Sequence, residues 1–168
     1  MFQKVQVVVD PDSLDNDCYR NCLFKVARDG GEVVVGWRRT PATNVRPLIA
    51  SLDHHAVWRS PSGELIDISR RAAIDRGRLV TGIQDAEIDF EPDPTATFSA
   101  TAMGRLSRYV PLVEDKFGLL ARACELATAA VEHRAEGRIE KAEYAHRKAQ
   151  QLLDQHRERL RYSAVRRG

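Results

Sequence analysis

Alternation opens the chain: Val5, Val7 and Val9 alternate with Gln6 and Val8, a period of two that predicts a strand and stops at "DPDS". In "SLDNDCYRNCLFKVARDGG" the period changes, with Tyr19, Cys22, Leu23, Val26 and Ala27 at helical spacing. An amphipathic helix of about three turns is expected there, with Ser13, Asp15 and Asn16 as candidate N-caps and Gly30-Gly31 as the stop. "EVVVGWRR" is β-branched, short and bounded by glycines and "TPATN", and reads as a strand. Two more strands are expected around His55 to Arg59 and Glu64 to Ile68, joined by "SPSG", and another within "GRLVTGIQDAEIDFEP".

Beyond Pro111 the texture is helical. Phe117, Leu120, Cys124, Ala127 and Val131 share one stripe. After Gly137 a second stripe takes in Ile139, Ala142, His146, Ala149, Leu153, His156 and Leu160. Two helices split by "EGR" predict an antiparallel hairpin, with His146 and His156 as seam or flank residues. "GRIEKAEYAHRKAQQLL" looks like half of a tetratricopeptide helix pair, but a single unit has no neighbour on which to stack, so the generic packing of an Ala-rich hairpin is expected. The predicted class is α+β, with a helix packed on an antiparallel sheet over residues 1–110 and a helical hairpin over 111–168.

Composition adds bounds. The 168 residues are 43% hydrophobic and 30% charged, a globular balance. The net charge of +2 is too small to argue for nucleic acid. The basic excess lies late: from Ala121 onward eleven Lys and Arg stand against seven Asp and Glu, which a solvated terminus explains. No apolar run approaches a membrane span, and "MFQKVQVVVDPD" lacks the layout of a signal peptide, so a cytoplasmic protein with no membrane partner is expected. Three cysteines, Cys18, Cys22 and Cys124, are an odd number and read as free thiols.

Chemistry concentrates in the helix start and in "HHAVWRSPSGELIDIS", His54 to Ser69. Cys18 lies in the first helical turn, where free N–H groups and the helix dipole favour a thiolate. Asp15 and Asp17 oppose that effect. Cys22, one turn on, reads as a core residue. His54 and His55 point to opposite faces of their strand. Pro61 and Gly63 suit a type I turn with a G1 bulge, which pairs Ser60 with Glu64 and puts Asp67 diagonal to His55 on one face. His55–Asp67 is therefore the expected pair, and His54 is structural. Trp37 and Trp58 read as core aromatics first and pocket walls second.

A cysteine at a helix start, a histidine in "HAVW" and an aspartate in "GELIDIS" resemble the core of the transglutaminase-like and papain-like thiol proteins. More narrowly, "DCYRNCLFKV", "GGEVVVGW", "HHAVWRSPSGELIDIS" and "FEPDP" resemble a group of uncharacterised bacterial and phage proteins over roughly residues 15 to 115. The resemblance implies Cys18 as nucleophile, His55 as general base and Asp67 as its orienting partner. It also implies a supporting part for Asn21 and places Gly36 and Trp37 on the neighbouring strand. Tyr19 and Cys22 depart from that group's pattern, and no glutamine stands where papain-like proteins keep an oxyanion donor. Gln3, Asn16 and the backbone N–H of Cys18 are the substitutes. The expected function is acyl transfer or hydrolysis at an amide bond of a protein or peptide, as a peptidase, amidase, deamidase or transglutaminase, with no cofactor. The alternatives are a non-catalytic interaction module on the same fold, with the hairpin as surface for a partner or a second copy, and a zinc protein using Cys18, Cys22, His55 and Cys124.

Overall fold

The computed structural model describes residues 1–41, 48–75, 78–81, 85–95 and 107–165. The described elements are β1 (Gln3–Val7), α1 (Cys18–Asp29), β2 (Glu32–Pro41), β3 (Ile49–Arg59), β4 (Leu65–Asp67), β5 (Ala72–Asp75), β6 (Arg78–Thr81), β7 (Glu87–Pro92), β8 (Ser107–Pro111), α2 (Leu119–Ala135) and α3 (Ile139–Val165). The protein is α+β. One sheet runs in the order β2-β7-β1-β4-β3-β8, and a further β2–β3 pairing closes five of these strands into a mixed barrel, while β5 and β6 pair separately. The sheet is not purely antiparallel: β1 joins β4 in parallel, Gln6 opposite Ile66 and Val7 opposite Asp67. A parallel pair needs a long crossover, and here α1, β2 and β3 supply it.

The chain divides into two compact units, residues 1–39 with 54–102, and residues 40–53 with 103–168. In the first, the His54–Arg59 part of β3 is buried on both faces, which is why Ala56, Val57 and Trp58 form an unbroken apolar run rather than an alternating one. Val57 packs with Val5, Ile88 and Phe90. Ala56 and Trp58 pack with Ile68 and, from α1, with Cys18, Tyr19, Cys22 and Val26. Leu23, expected on the buried stripe, is instead exposed, as is Phe24.

Helix α1 begins at Cys18 and is capped by Asp17, whose carboxylate accepts the Arg20 N–H at 3.4 Å. None of the expected caps serves, because each is engaged elsewhere. The Ser13 hydroxyl donates to the Asp10 carbonyl, Asp15 bridges to Arg70, and Asn16 takes a left-handed φ of 57°. At the other end the chain turns at Gly30 and Gly31. A Cβ on Gly31 would lie 2.1 Å from the Arg59 carbonyl oxygen, and its φ is 85°. The Trp58 indole N–H donates to the Gly30 carbonyl at 2.9 Å, which makes Trp58 a buried fastener of the helix end.

The β3–β4 hairpin has the register that its turn predicts. The Ser60 N–H donates to the Glu64 carbonyl at 2.9 Å, Gly63 takes a φ of 91°, and Arg59 and Trp58 face Leu65 and Ile66. The stretch expected to hold one strand between Gly77 and Pro92 contributes to two, β6 and β7, and strands β5 and β8 were not foreseen. Of the stretch "RRTPATNVRPLIAS", which reads from the sequence as a loop of the kind that carries specificity, the two ends belong to β2 and β3 and residues 42–47 lie outside the described residues.

In the second unit β8 pairs antiparallel with Ile49–Asp53 of β3. Ile49, Leu120, Ala123, Cys124 and Leu153 form its core. With a turn over residues 136–138, Leu120 and Leu153 lie within one residue of equally far from the bend, as an antiparallel hairpin requires. Asp115 holds the start of α2 by accepting the Ala121 N–H at 2.8 Å. On α3 the buried stripe is Ala142, Ala145, Ala149, Leu153 and His156. His146 is exposed, and Ala145 takes the place expected for it.

Candidate active site

Cys18, His55 and Asp67 come together within the first unit. Each is placed by a different local rule. Cys18 is the first residue of α1 because Asp17 caps the helix. Asp67 is set on the face of His55 because the turn at Gly63 pairs Ser60 with Glu64 and so puts Asp67 opposite Val57. The carboxylate then spans the diagonal: His55 Nε2 lies 2.9 Å from Asp67 Oδ2.

The other carboxylate oxygen, Oδ1, accepts the Ser69 backbone N–H at 3.0 Å. Both oxygens are thus held, and the carboxylate cannot swing away from the imidazole. The signal for this anchor is in "DIS": an aspartate whose side chain bonds the backbone two residues on is a common local motif. The His55 ring meets the edge of Phe90, with centroids 6.4 Å apart.

Cys18 lies close enough to the His55 side chain and to the Ala56 backbone N–H for both to lower its thiol. That N–H is available because β4 stops at Asp67. Continued by one residue, the register would bring Ile68 opposite Ala56 and consume the donor. With Nε2 engaged by Asp67, Nδ1 is the ring nitrogen left to serve the thiol. The three groups stand in the order thiol, imidazole, carboxylate, the relay of a nucleophile, its base and an orienting anion.

Electrostatics follow from burial and partnership. Burial works against ionisation of Cys18, yet the hydrogen bond and charge of His55 and the Ala56 N–H outweigh it, and the thiol lies below its ordinary range. Burial likewise disfavours the imidazolium, but Asp67 first and Cys18 second raise His55 to about 9. Asp67 is pushed up by burial and held down by His55 and Ser69, with the lowering in excess. Cys22 has no such partners; burial, with the charges of Cys18 and Asp67, drives its thiol far upward. The cysteine one turn further into the helix is therefore an inert core residue.

The supporting candidates fall in several places. Asn21 is buried, and its amide engages Leu14 in the loop before Cys18. Asn16 stands in that same loop and gives its backbone N–H to the Arg70 carbonyl at 2.9 Å. Gln3 is not brought to the thiol. It pairs with Phe90, lines an open groove with Gln6, Arg59 and Glu64, and sits four residues, roughly 13 Å of strand, from the Val7–Asp67 pair. Trp37 donates its indole N–H to Asp93 at 2.8 Å and lies 5.4 Å from the His54 ring. Trp37 and Asp93 thus meet beside His54, while Phe90 of the same "FEPDP" stretch packs against His55.

For zinc, the ring nitrogen Nε2 is committed to Asp67 and Cys124 packs among Ile49, Leu120 and Leu153. Among the described residues no group of three or more His, Cys, Asp or Glu is arranged to hold a metal ion, and no helix is long and apolar enough to cross a membrane.

No family model, no curated protein and no solved structure matches the chain.

Proposed function

We propose that the protein is a cysteine-nucleophile acyl transferase or hydrolase, acting on an amide bond of a protein or peptide, with a core of the transglutaminase-like and papain-like kind. The observation that carries this reading is the convergence of Cys18, His55 and Asp67, with His55 Nε2 2.9 Å from Asp67 Oδ2, the thiol lowered and the imidazole raised. A buried aspartate that serves only the fold needs no cysteine at the far side of its histidine.

In the proposed cycle the Cys18 thiolate attacks the amide carbonyl carbon, and the C=O π electrons move onto oxygen. The Cys18 backbone N–H, at the helix start, is a donor for that oxyanion. Collapse expels the amine, which takes its proton from the His55 imidazolium and leaves a thioester on Cys18. Neutral His55 then removes a proton from water or from an incoming amine as that group attacks the thioester. The thiolate departs, the imidazolium is restored, and the product is an acid or a new amide. Asp67 keeps the ring oriented and its positive charge compensated throughout. No cofactor enters. The free thiols at Cys18, Cys22 and Cys124 suit a reducing compartment, and we place the protein in the cytoplasm.

The test is an electrophilic activity probe for thiols, followed by a peptide library screened for cleavage, ammonia release and amine incorporation, on wild type and Cys18→Ala. Labelling at Cys18 with turnover that Cys18→Ala abolishes supports the proposal. A Cys18 that labels no faster than a free thiol, with no turnover, identifies a non-catalytic interaction module.

A further inference from the structure

We propose that Asn21 is a positioning residue that fixes the nucleophile against its base by locking the loop in front of Cys18. The inference rests on Cys18 being the reactive thiol of the proposed function. Asn21 is 3% exposed. Its side-chain Oδ1 accepts the Leu14 N–H at 2.7 Å and its Nδ2 donates to the Leu14 carbonyl at 2.9 Å. One amide thereby satisfies both main-chain groups of a single residue, as a strand partner would. Its own backbone N–H closes the first helical turn onto the Asp17 carbonyl at 3.0 Å.

The far side of that loop is stitched to the segment that carries Asp67. The Val8 N–H donates to the Asp67 carbonyl at 2.9 Å, Asp10 to Ile68 at 3.3 Å, and Asn16 to Arg70 at 2.9 Å. A closed path results: Asp67, its strand, the loop, Asn21, α1 and Cys18. Every step of this path but one is a main-chain hydrogen bond or the chain itself. The exception is the Asn21 side chain, the step a substitution can cut. Without it the start of α1 can shift against His55, and reacting groups tolerate little misplacement: about 1 Å can lower a rate roughly a hundredfold.

The chemistry of the amide is specific. Aspartate would lose the donor and set a carboxylate against the Leu14 carbonyl. Serine cannot reach both groups. Since Asn21 holds Leu14 with both ends of its amide, it acts through the position of Cys18.

The experiment follows the pH dependence of Cys18 alkylation by iodoacetamide in wild type, Asn21→Ser and Asn21→Asp, with circular dichroism to show that each variant is folded. Hydrogen exchange at the Leu14 amide reports the loop. The expected result is faster exchange at Leu14, and an alkylation midpoint that rises by about one unit with roughly tenfold slower alkylation at pH 7. A folded variant whose Leu14 amide exchanges faster while its alkylation profile overlays that of wild type overturns the positioning role and leaves Asn21 a fold stabiliser. A wild-type profile already that of an ordinary thiol overturns the thiol site itself, and the proposal for Asn21 with it. Should both Asn21 variants fail to fold, Leu14→Pro removes the N–H from the loop side with Asn21 intact, and its alkylation profile decides alone: a midpoint raised as above supports the positioning role, and a profile that overlays that of wild type overturns it.

Discussion

His55 Nε2 lies 2.9 Å from Asp67 Oδ2, with the histidine 5% and the aspartate 1% exposed. A buried pair of this kind is weak evidence for stability, yet removal of one partner is severe, because the other is left charged in a site that excludes water. The pair therefore has two separable signatures, one in the reactivity of Cys18 and one in the pH dependence of folding.

Reactivity comes first. The Cys18 thiol lies below its ordinary value despite burial, through His55 and the Ala56 N–H. Alkylation of wild type is expected to reach half its maximal rate below the pH 8.5 of a free thiol. His55→Ala should move that midpoint upward, while Cys22→Ser leaves it in place. A pH–rate profile of iodoacetamide modification checks all three.

The folding signature has a definite sign. His55 is raised from 6.5 to about 9 in the folded protein, so its contribution is complete below pH 6.5 and is lost as the pH climbs through about 9. Cys18 works the other way, since a lowered thiol favours the folded state where it is ionised. Thermal melts of Cys18→Ala should isolate the histidine raised by Asp67 alone and show Tm falling as the pH climbs above 6.5. In His55→Ala that slope should vanish. Asp67, lowered by its partners, contributes above pH 3.8, and its share is lost as the pH falls through its depressed value.

Asp67→Ala should destabilise the protein by about 3–5 kcal/mol, the usual result of stripping one partner from a buried pair. Asp67→Asn keeps the shape and should be milder, while still raising the Cys18 midpoint. Denaturant melts and alkylation rates on the two variants separate the roles.

Gly31 and Gly63 both take positive φ, but their surroundings differ. A Cβ on Gly31 meets the Arg59 carbonyl at 2.1 Å and Trp58 Nε1 at 2.9 Å, whereas Gly63 has open space. Gly63→Ala should cost about 1–2 kcal/mol from backbone strain alone. Gly31→Ala adds a clash with main chain and should cost roughly 3 kcal/mol or more, or prevent folding. In the second unit, Leu153→Ala should cost about 2–5 kcal/mol through the cavity left against Leu120 and Ala123.

What could be read in advance was local. "SPSG" carries a hairpin register because Pro61 and Gly63 restrict their own backbones, and that register puts Asp67 with His55 rather than His54. The helix start at Cys18 was legible to within about one turn, although Ser13 is engaged by nearby Asp10, Asp15 by distant Arg70, and Asn16 takes a left-handed φ. The rest depended on pairings across the chain. The parallel β1–β4 contact leaves no trace in the period of either strand, and it sends Gln3 away from the thiol. Likewise the Ala56 N–H is left to lower the Cys18 thiol only because β4 ends at Asp67.

The turn at Ser60 to Gly63 is exposed and touches none of the three reactive groups. Its length nonetheless decides which way Asp67 points, since a shift of one residue in β4 sends every side chain to the opposite face. One residue inserted beside Ser62 would alter no member of the core and no atom of Cys18, His55 or Asp67. It would still present Ile66 or Ile68 to the imidazole in place of a carboxylate. The indexing mechanism of the site thus sits on an exposed turn, where change is ordinarily harmless.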